Sequence, residues 1–271
     1  MERTMNGEPV HHPVSIVGTG PGDPDLLTVR AARIIGNAEV ILYDCPTVEP
    51  ALCIASPSAT VRFIERVRHD GPSGQAGSSR MLRLMREFFY EGLRVVRLRA
   101  GDPLLFGSPE DECLALGSMH IPFEVVPGLS AGAAAAAGYA MPVSEKYQSD
   151  SVTSLIANEI TDDFALVRDA AKLIRHGSTI VLYMATRNLS GIFRVFAEEG
   201  VPSCVPVVAV ARSGWPDEAC GLATMGDIAG LLASGKLREP VVYFIGRHLG
   251  VRNSPEGVLP PGVLVSNGFI R

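Results

Sequence analysis

The sequence predicts an α/β protein built as two α/β halves, and three observations carry that reading. Short apolar runs such as residues 14–18 and 94–98 stop at loops rich in Gly and Pro, as buried strands do where the chain turns at a sheet edge. Segments with apolar residues at helical spacing alternate with these runs, the order expected of a largely parallel sheet. A polar, irregular stretch at 141–150 interrupts the pattern and reads as the linker between the halves.

In the first half, the strand over 14–18 ends in Gly18-Thr-Gly-Pro-Gly-Asp-Pro, residues 18–24. Leu26, Leu27, Ala31, Ile34 and Ile35 place a helix over 26–37, with Asp25 near its start. A strand over 39–43 ends at Asp44, and 81–90 is an amphipathic helix. The strand over 94–98 runs into Ala-Gly-Asp-Pro, residues 100–103. A helix over 109–118, a strand over 123–126 ending at Pro127-Gly128, and a small-residue helix over 131–137 complete the half. In the second half, strands over 152–157, 179–184, 205–211 and 241–246 alternate with helices over 163–175, 190–199 and 225–234. The expected domains are therefore 14–140 and 150–250, with 1–13 and the proline-bearing 254–271 as loosely ordered tails.

The chain has 271 residues, and 24 Lys+Arg against 29 Asp+Glu leave a formal charge of −5. With 46% hydrophobic and 20% charged residues it can bury a core. It lacks the sustained basic field that nucleic acid or an anionic membrane surface demands. Its most apolar stretch, around 131–137, falls far short of the ~20 residues that span a bilayer. Cys45, Cys53, Cys113, Cys204 and Cys220 are scattered and odd in number, so neither a disulfide framework nor a metal site is expected. The polar first residues do not have the build of a secretory signal, and a reducing cytoplasm is the expected compartment.

Three Gly- and Pro-rich loops at strand ends suit a shared ligand cleft, because glycine lets backbone approach a ligand closely. Gly18-x-Gly20 followed by Asp44 at the next strand end invites a nicotinamide reading. The third glycine of that fingerprint is replaced by Asp23, and Pro21 offers no N–H to a pyrophosphate. No Walker sequence is present. A cationic or neutral ligand fits these loops better than a phosphate.

Gly18-Thr-Gly-Pro-Gly-Asp-Pro-Asp-Leu-Leu-Thr28, Arg94-Val-Val-Arg-Leu-Arg-Ala-Gly-Asp-Pro-Leu-Leu-Phe-Gly107 and Val126-Pro-Gly-Leu-Ser-Ala131 resemble, in order, the three motifs of the tetrapyrrole methylases. These are the class III S-adenosylmethionine-dependent methyltransferases. Similarity continues through Leu182-Tyr-Met184 and residues 240–246, so it spans about residues 14–250. The resemblance implies two α/β domains with the cofactor cleft between them, S-adenosyl-L-methionine as cofactor and S-adenosyl-L-homocysteine as product. Carried onto matching positions, the cofactor-binding residues are Pro21, Ala100, Gly101, Asp102, Leu105, Ser130, Ala131, Met184 and Ser213. A homodimer acting on a small molecule is implied as well, with no metal.

The family's acid/base pair matches Asp44 and Arg66. Arg66 stands where the family has lysine, and arginine stays protonated to a pKa above ~12, so it orients an anion rather than shuttling a proton. Tyr43, Arg68, His69 and Lys146 are the expected substrate contacts, with Tyr43, His69 and His120 as further helpers. The family's Gly-Arg-Gly-Gly-Glu-Glu is here Gly107-Ser-Pro-Glu-Asp-Glu112, and its Thr-His-Arg is Ser144-Glu145-Lys146. Uroporphyrinogen III is a polycarboxylate whose site needs Arg or Lys donors to offset desolvation. Arg66, Arg68, His69, Arg99 and Lys146 are the candidates left for that task.

These replacements lead to the expectation of a diverged enzyme acting on a smaller, less anionic specialised metabolite. It would act by methyl transfer, or by ring closure that expels a thioether from a sulfonium substrate, with Asp44 as base. One alternative is a uroporphyrinogen-III C-methyltransferase that methylates two ring carbons to give precorrin-2. The other, from a different class, is a non-catalytic S-adenosylmethionine-binding sensor.

Overall fold

β1 (Val14–Gly18) is buried at every residue, as a central strand of a parallel sheet must be when helices cover both faces. The computed structural model describes residues 11–65, 75–106, 110–157, 164–185, 188–249 and 263–265. The chain divides into two compact units, Met1–Ser130 and Ala131–Arg271.

In the first unit β2 (Val40–Tyr43), β3 (Thr60–Phe63), β4 (Val95–Arg99) and β5 (Phe123–Val126) join β1 in an all-parallel sheet of order β3-β2-β4-β1-β5. α1 (Val29–Gly36) begins at Thr28, whose Oγ1 accepts the Ala31 N–H at 3.1 Å, satisfying one of the donors a helix start leaves open. The helix expected over 26–37 is thus shorter. A separate 3-10 turn, Pro24–Leu26, precedes it, and Leu27 is extended. α2 (Gln75–Tyr90) buries Met81, Met85 and Phe89, spaced four apart on one face. With Leu116 of α3 (Glu110–Ser118) they pack on one side of the sheet. α1 and a 3-10 segment, Pro46–Ile54, cover the other side. His11, placed by sequence in a loose tail, stacks on Phe89 at 4.8 Å and donates Nδ1–H to its carbonyl at 3.0 Å.

The second unit holds β6 (Val152–Ile156), β7 (Thr179–Tyr183), β8 (Pro206–Ala211), β9 (Ala219–Thr224), β10 (Val241–Ile245) and β11 (Val263–Val265), in the order β11-β9-β8-β10-β7-β6. This sheet is mixed. β10 runs antiparallel to β7 and β8, and β8 to β9, whereas β6–β7 and β9–β11 are parallel. α4 (Ala131–Gly138) belongs to this unit, not to the first half assigned from sequence. Its Ala135 and Ala136 pack with Val208, Val210, Val242 and Phe244. A Cβ at Gly132 would overlap the Tyr183 hydroxyl, which explains the small-residue composition of this helix. α5 (Ala165–Arg175) and α6 (Leu189–Glu198) pack on the opposite face with α7 (Ile228–Ala233).

Three strands escape the sequence pattern. β3 is an edge strand with all four residues exposed, and β9 is built mostly of small residues that signal strand weakly. β11 lies in the segment expected to be a loose tail and pairs in parallel with β9. Among the described residues, no helix is long and apolar enough to cross a membrane.

Candidate functional site

In the first unit β4, β1 and β5 are neighbours and parallel, so the loops after them emerge side by side at the carboxyl edge of the sheet. Gly20 donates its N–H to the Gly101 carbonyl at 3.2 Å, and Gly101 returns the bond to Gly20 at 2.8 Å. Both residues have positive φ, +73° and +66°, a conformation glycine adopts without steric cost. Thr19 donates both its N–H and its Oγ1–H to the Arg99 carbonyl, at 2.9 and 3.1 Å. Asp102 ties the second loop to the third. Its Oδ1 accepts the Leu104 N–H at 2.9 Å and its Oδ2 the Gly128 N–H at 3.2 Å.

The junction has no room for side chains. A Cβ at Gly18 would lie 2.7 Å from the Gly101 oxygen and 2.7 Å from the Gly128 nitrogen. A Cβ at Gly128 would overlap the Gly101 carbonyl oxygen and stand 2.8 Å from the Gly18 carbonyl carbon. Three loops therefore meet backbone to backbone. Around them Pro21 is buried, Leu104, Leu105 and Leu129 are exposed apolar side chains, and Ser130 is half-buried. No Lys or Arg lies within residues 18–24, 100–106 or 127–131, so the loops offer neutral backbone, apolar surface and two carboxylates, Asp23 and Asp102, both of which accept backbone N–H groups. That set suits a sulfonium with an adenosyl group better than a phosphate. Among the described residues, no group of three or more His, Cys, Asp or Glu could hold a metal ion.

The first unit thus brings Pro21, Ala100, Gly101, Asp102, Leu105 and Ser130 to one edge of the sheet. The same edge carries Asp44 at the tip of β2. Ile64 donates its N–H to the Tyr43 carbonyl at 2.7 Å, so the chain leaves β3 beside Asp44. Arg66, Arg68 and His69 lie outside the described residues. Tyr43 is buried and donates its hydroxyl to Glu49 Oε1 at 3.2 Å. Burial first, and then the Glu49 carboxylate, push its pKa up, so the phenol is committed within its own unit. His120 is not a helper at this edge. It closes the turn between α3 and β5, with φ +56° and its N–H on the Gly117 carbonyl, at the strand end opposite the glycine loops.

The second unit supplies the remaining matched positions. Met184 follows β7 with φ +52° and is 49% exposed, a strained backbone for an unbranched side chain. Ser213 is buried after β8, next to Arg212, which also has positive φ. Arg212 donates its N–H to the Pro240 carbonyl at 2.7 Å, pairs with Asp217 at 2.6 Å and covers the Trp215 ring. Ala131 opens α4. Lys146 is exposed, with Nζ 4.7 Å over the ring of the exposed Tyr147.

Sequence reasoning missed the charged residues under Asp44. Arg97 of β4 is fully buried, with Nη2 2.8 Å from Asp44 Oδ2 and 3.2 Å from Glu112 Oε1. Arg99 is also buried, with Nη1 3.5 Å from the same Glu112 oxygen. Arg99, assigned from sequence to substrate carboxylates, is directed to an internal partner. The sequence offered half the signal. Arg97 and Arg99 alternate with Val96 and Leu98 in a run read as a strand, and a charge buried in a strand requires a partner, but the partner's identity comes only from the fold.

A family model described as Tetrapyrrole (Corrin/Porphyrin) Methylases matches residues 13–229. The uroporphyrinogen-III C-methyltransferase of Paracoccus denitrificans is 34% identical over 238 residues, 86% of this chain and 80% of that protein. The enzyme of the same name from Cyanidium caldarium is 30% identical over 233 residues, 86% and 92% of the two chains. The siroheme synthase of Methylococcus capsulatus is 32% identical over 241 residues, but the match covers 88% of this chain and 50% of that protein. The chain thus spans about half the length of the siroheme synthase relatives it matches. Among solved structures, a cobalt precorrin-4 methyltransferase aligns with a TM-score of 0.76 at 27% identity, covering 86% of this chain and 94% of that one. A uroporphyrin-III C-methyl transferase from Thermus thermophilus complexed with S-adenosyl homocysteine aligns at 0.68 and 27%, covering 87% and 92%.

Proposed function

Because this chain belongs to the tetrapyrrole methylase family, we propose that it is an S-adenosylmethionine-dependent C-methyltransferase that acts on a uroporphyrinogen-type tetrapyrrole. The observation that carries the reading is the three-loop glycine junction, on a chain 34% identical to a named uroporphyrinogen-III C-methyltransferase over 80% of its length. The replaced basic motif at 107–112 led to the expectation of a smaller, less anionic acceptor. The relatives lend that expectation no support, since their names point to uroporphyrinogen, siroheme and precorrin chemistry.

When bound, S-adenosylmethionine supplies an electrophilic methyl group on a positively charged sulfur. The loops receive it with neutral backbone and with Leu105 as apolar surface, and no cation in residues 18–24, 100–106 or 127–131 repels the sulfonium. Most of the acceleration comes from orientation, which a junction with no side-chain freedom preserves. Asp44 faces an acceptor that gains positive charge as a ring carbon takes the methyl. Its carboxylate stabilises that charge and accepts the proton the ring then releases. Arg66 and its neighbours Arg68 and His69, with Lys146, are assigned to the substrate's carboxylates; Met184, Ser213 and Ala131 complete the cofactor set.

The test is calorimetric titration with S-adenosylhomocysteine, followed by anaerobic turnover of uroporphyrinogen III. Product binding with methylated tetrapyrrole is the expected result. Binding without tetrapyrrole methylation overturns the substrate assignment, and absence of binding overturns the cofactor assignment.

A further inference from the structure

Arg97 sits in the middle of the first sheet, flanked by Val96 and Leu98, with no exposed surface. Burying a guanidinium is costly unless every face of it is engaged. Here Nη1 donates to the Leu98 carbonyl at 2.9 Å, and Nε lies 3.2 and 3.4 Å from the two Glu112 oxygens. Nη2 is shared between Glu112 Oε1 and Asp44 Oδ2. Burial works against the charge, but the Glu112 and Asp44 carboxylates outweigh it, and the pKa of Arg97 lies above the ordinary arginine value.

The two carboxylates arrive from different elements. Asp44 is at the tip of β2, at the edge that carries the glycine loops, and Glu112 is on α3, which follows the second loop. Glu112 takes the guanidinium side-on through Nε and Nη2, and this fixes the plane in which Nη2 points at Asp44. Arg99 balances the second negative charge. An ion pair needed only to stabilise the sheet would be complete with Arg97 and Glu112. The extension to a carboxylate at the ligand edge is the part that stability does not explain.

We propose that Arg97 is a positioning residue, which holds the Asp44 carboxylate as an oriented anion beside the glycine loops while Glu112 sets how strongly it does so. The proposal rests on the assignment of Asp44 to the acceptor. Among the described residues, Arg99 and Cys113 face Glu112, while Tyr43, Cys45 and Glu49 share Asp44's own segment and Glu65 follows β3. Removing the Glu112 charge therefore leaves Arg97 more fully to Asp44, and weakening Arg97 leaves Asp44 facing Glu112.

The experiment is a carboxylate NMR titration of the full chain without ligand, with the Asp44 resonance assigned from Asp44→Asn. Glu112→Gln is expected to move the Asp44 midpoint to lower pH, and Arg97→Lys to move it to higher pH. Arg97→Lys is also expected to lower kcat at least tenfold, with Kd for S-adenosylhomocysteine and Tm within twofold and a few degrees of the parent. Arg97→Met serves the same test if it folds. Midpoints that coincide in all three proteins, or a kcat that falls only in step with Tm and cofactor affinity, overturn the proposal. The titration needs no substrate, so opposite shifts in a protein that methylates no tetrapyrrole would uphold the positioning role and overturn only the function assigned above.

Discussion

The Gly128 N–H donates to Asp102 Oδ2 at 3.2 Å, while Leu104 N–H occupies the other carboxylate oxygen at 2.9 Å. Asp102 is therefore the bracket that holds the third glycine loop against the second, and both its oxygens are spent on backbone. Asp102→Ala leaves the Gly128 and Leu104 donors without this acceptor and is expected to destabilise the first unit by about 1–3 kcal/mol. S-adenosylhomocysteine affinity is expected to fall more than tenfold. Asp102→Asn, which keeps an acceptor for one donor only, should fall between. Calorimetric titration and thermal denaturation of the two variants check this.

Gly128→Ala forces a methyl into the Gly101 carbonyl oxygen and the Gly18 backbone, where neither neighbour is a flexible side chain. The expected cost is about 1–3 kcal/mol, as in other overpacked sites, with cofactor binding impaired in parallel. Gly230→Ala is the control. Gly230 is exposed within α7, and nothing lies within 4 Å of its added Cβ, so alanine should be neutral or stabilise by about 0.5–1 kcal/mol. Denaturation midpoints of the two variants decide.

Met184 carries positive φ without being glycine. Met184→Gly removes the backbone strain, and its gain is offset by the entropy of glycine in the unfolded chain, so stability should change by less than about 1 kcal/mol. Affinity for S-adenosylhomocysteine should nevertheless fall, because the exposed thioether side chain is lost. A joint fall in stability and affinity would instead mark Met184 as a packing residue.

Cys220 is fully buried in β9, and burial, with the Glu218 carboxylate second, pushes its thiol up to about 12. A raised folded value favours the protonated form. This stabilising contribution is thus complete below the unfolded thiol range, near ~8.5, and is lost as pH climbs through about 12. Thermal stability should therefore fall over that alkaline window, and less so in Cys220→Ala after correction for the cavity. In the native protein at neutral pH, a maleimide should label the exposed Cys53 and Cys204 and spare Cys220, which mass spectrometry of the digested protein reads directly.

Much of this was legible in the sequence because glycine and proline mark strand ends. The runs ending at Gly18, Ala100 and Pro127 located three strands and the loops that meet at Gly20, Gly101 and Gly128. Periodicity likewise placed α2 and α5. β9 was missed because Ala219-Cys-Gly-Leu-Ala-Thr224 has small side chains whose burial comes from β8 and α7 rather than from their own bulk. The domain boundary was misplaced because α4 packs through alanines onto the second sheet, and no linker composition announces that. Arg97 and Glu112 went unread because 15 residues separate them and only the fold brings strand and helix together. The acceptor was judged from the loss of a basic motif, while Arg99, offered as compensation, is tied to Glu112.

Anaerobic turnover with uroporphyrinogen III and S-adenosylmethionine decides whether the enzyme transfers methyl to a uroporphyrinogen-type ring. Mass analysis of the tetrapyrrole product, with S-adenosylhomocysteine release measured in parallel, is the readout. A dimethylated tetrapyrrole with matching S-adenosylhomocysteine is expected, with loss of at least a hundredfold in rate for Asp44→Asn and cofactor affinity retained. An unmodified tetrapyrrole, from a protein that binds S-adenosylhomocysteine tightly, would contradict it and return the acceptor to the smaller, less anionic class.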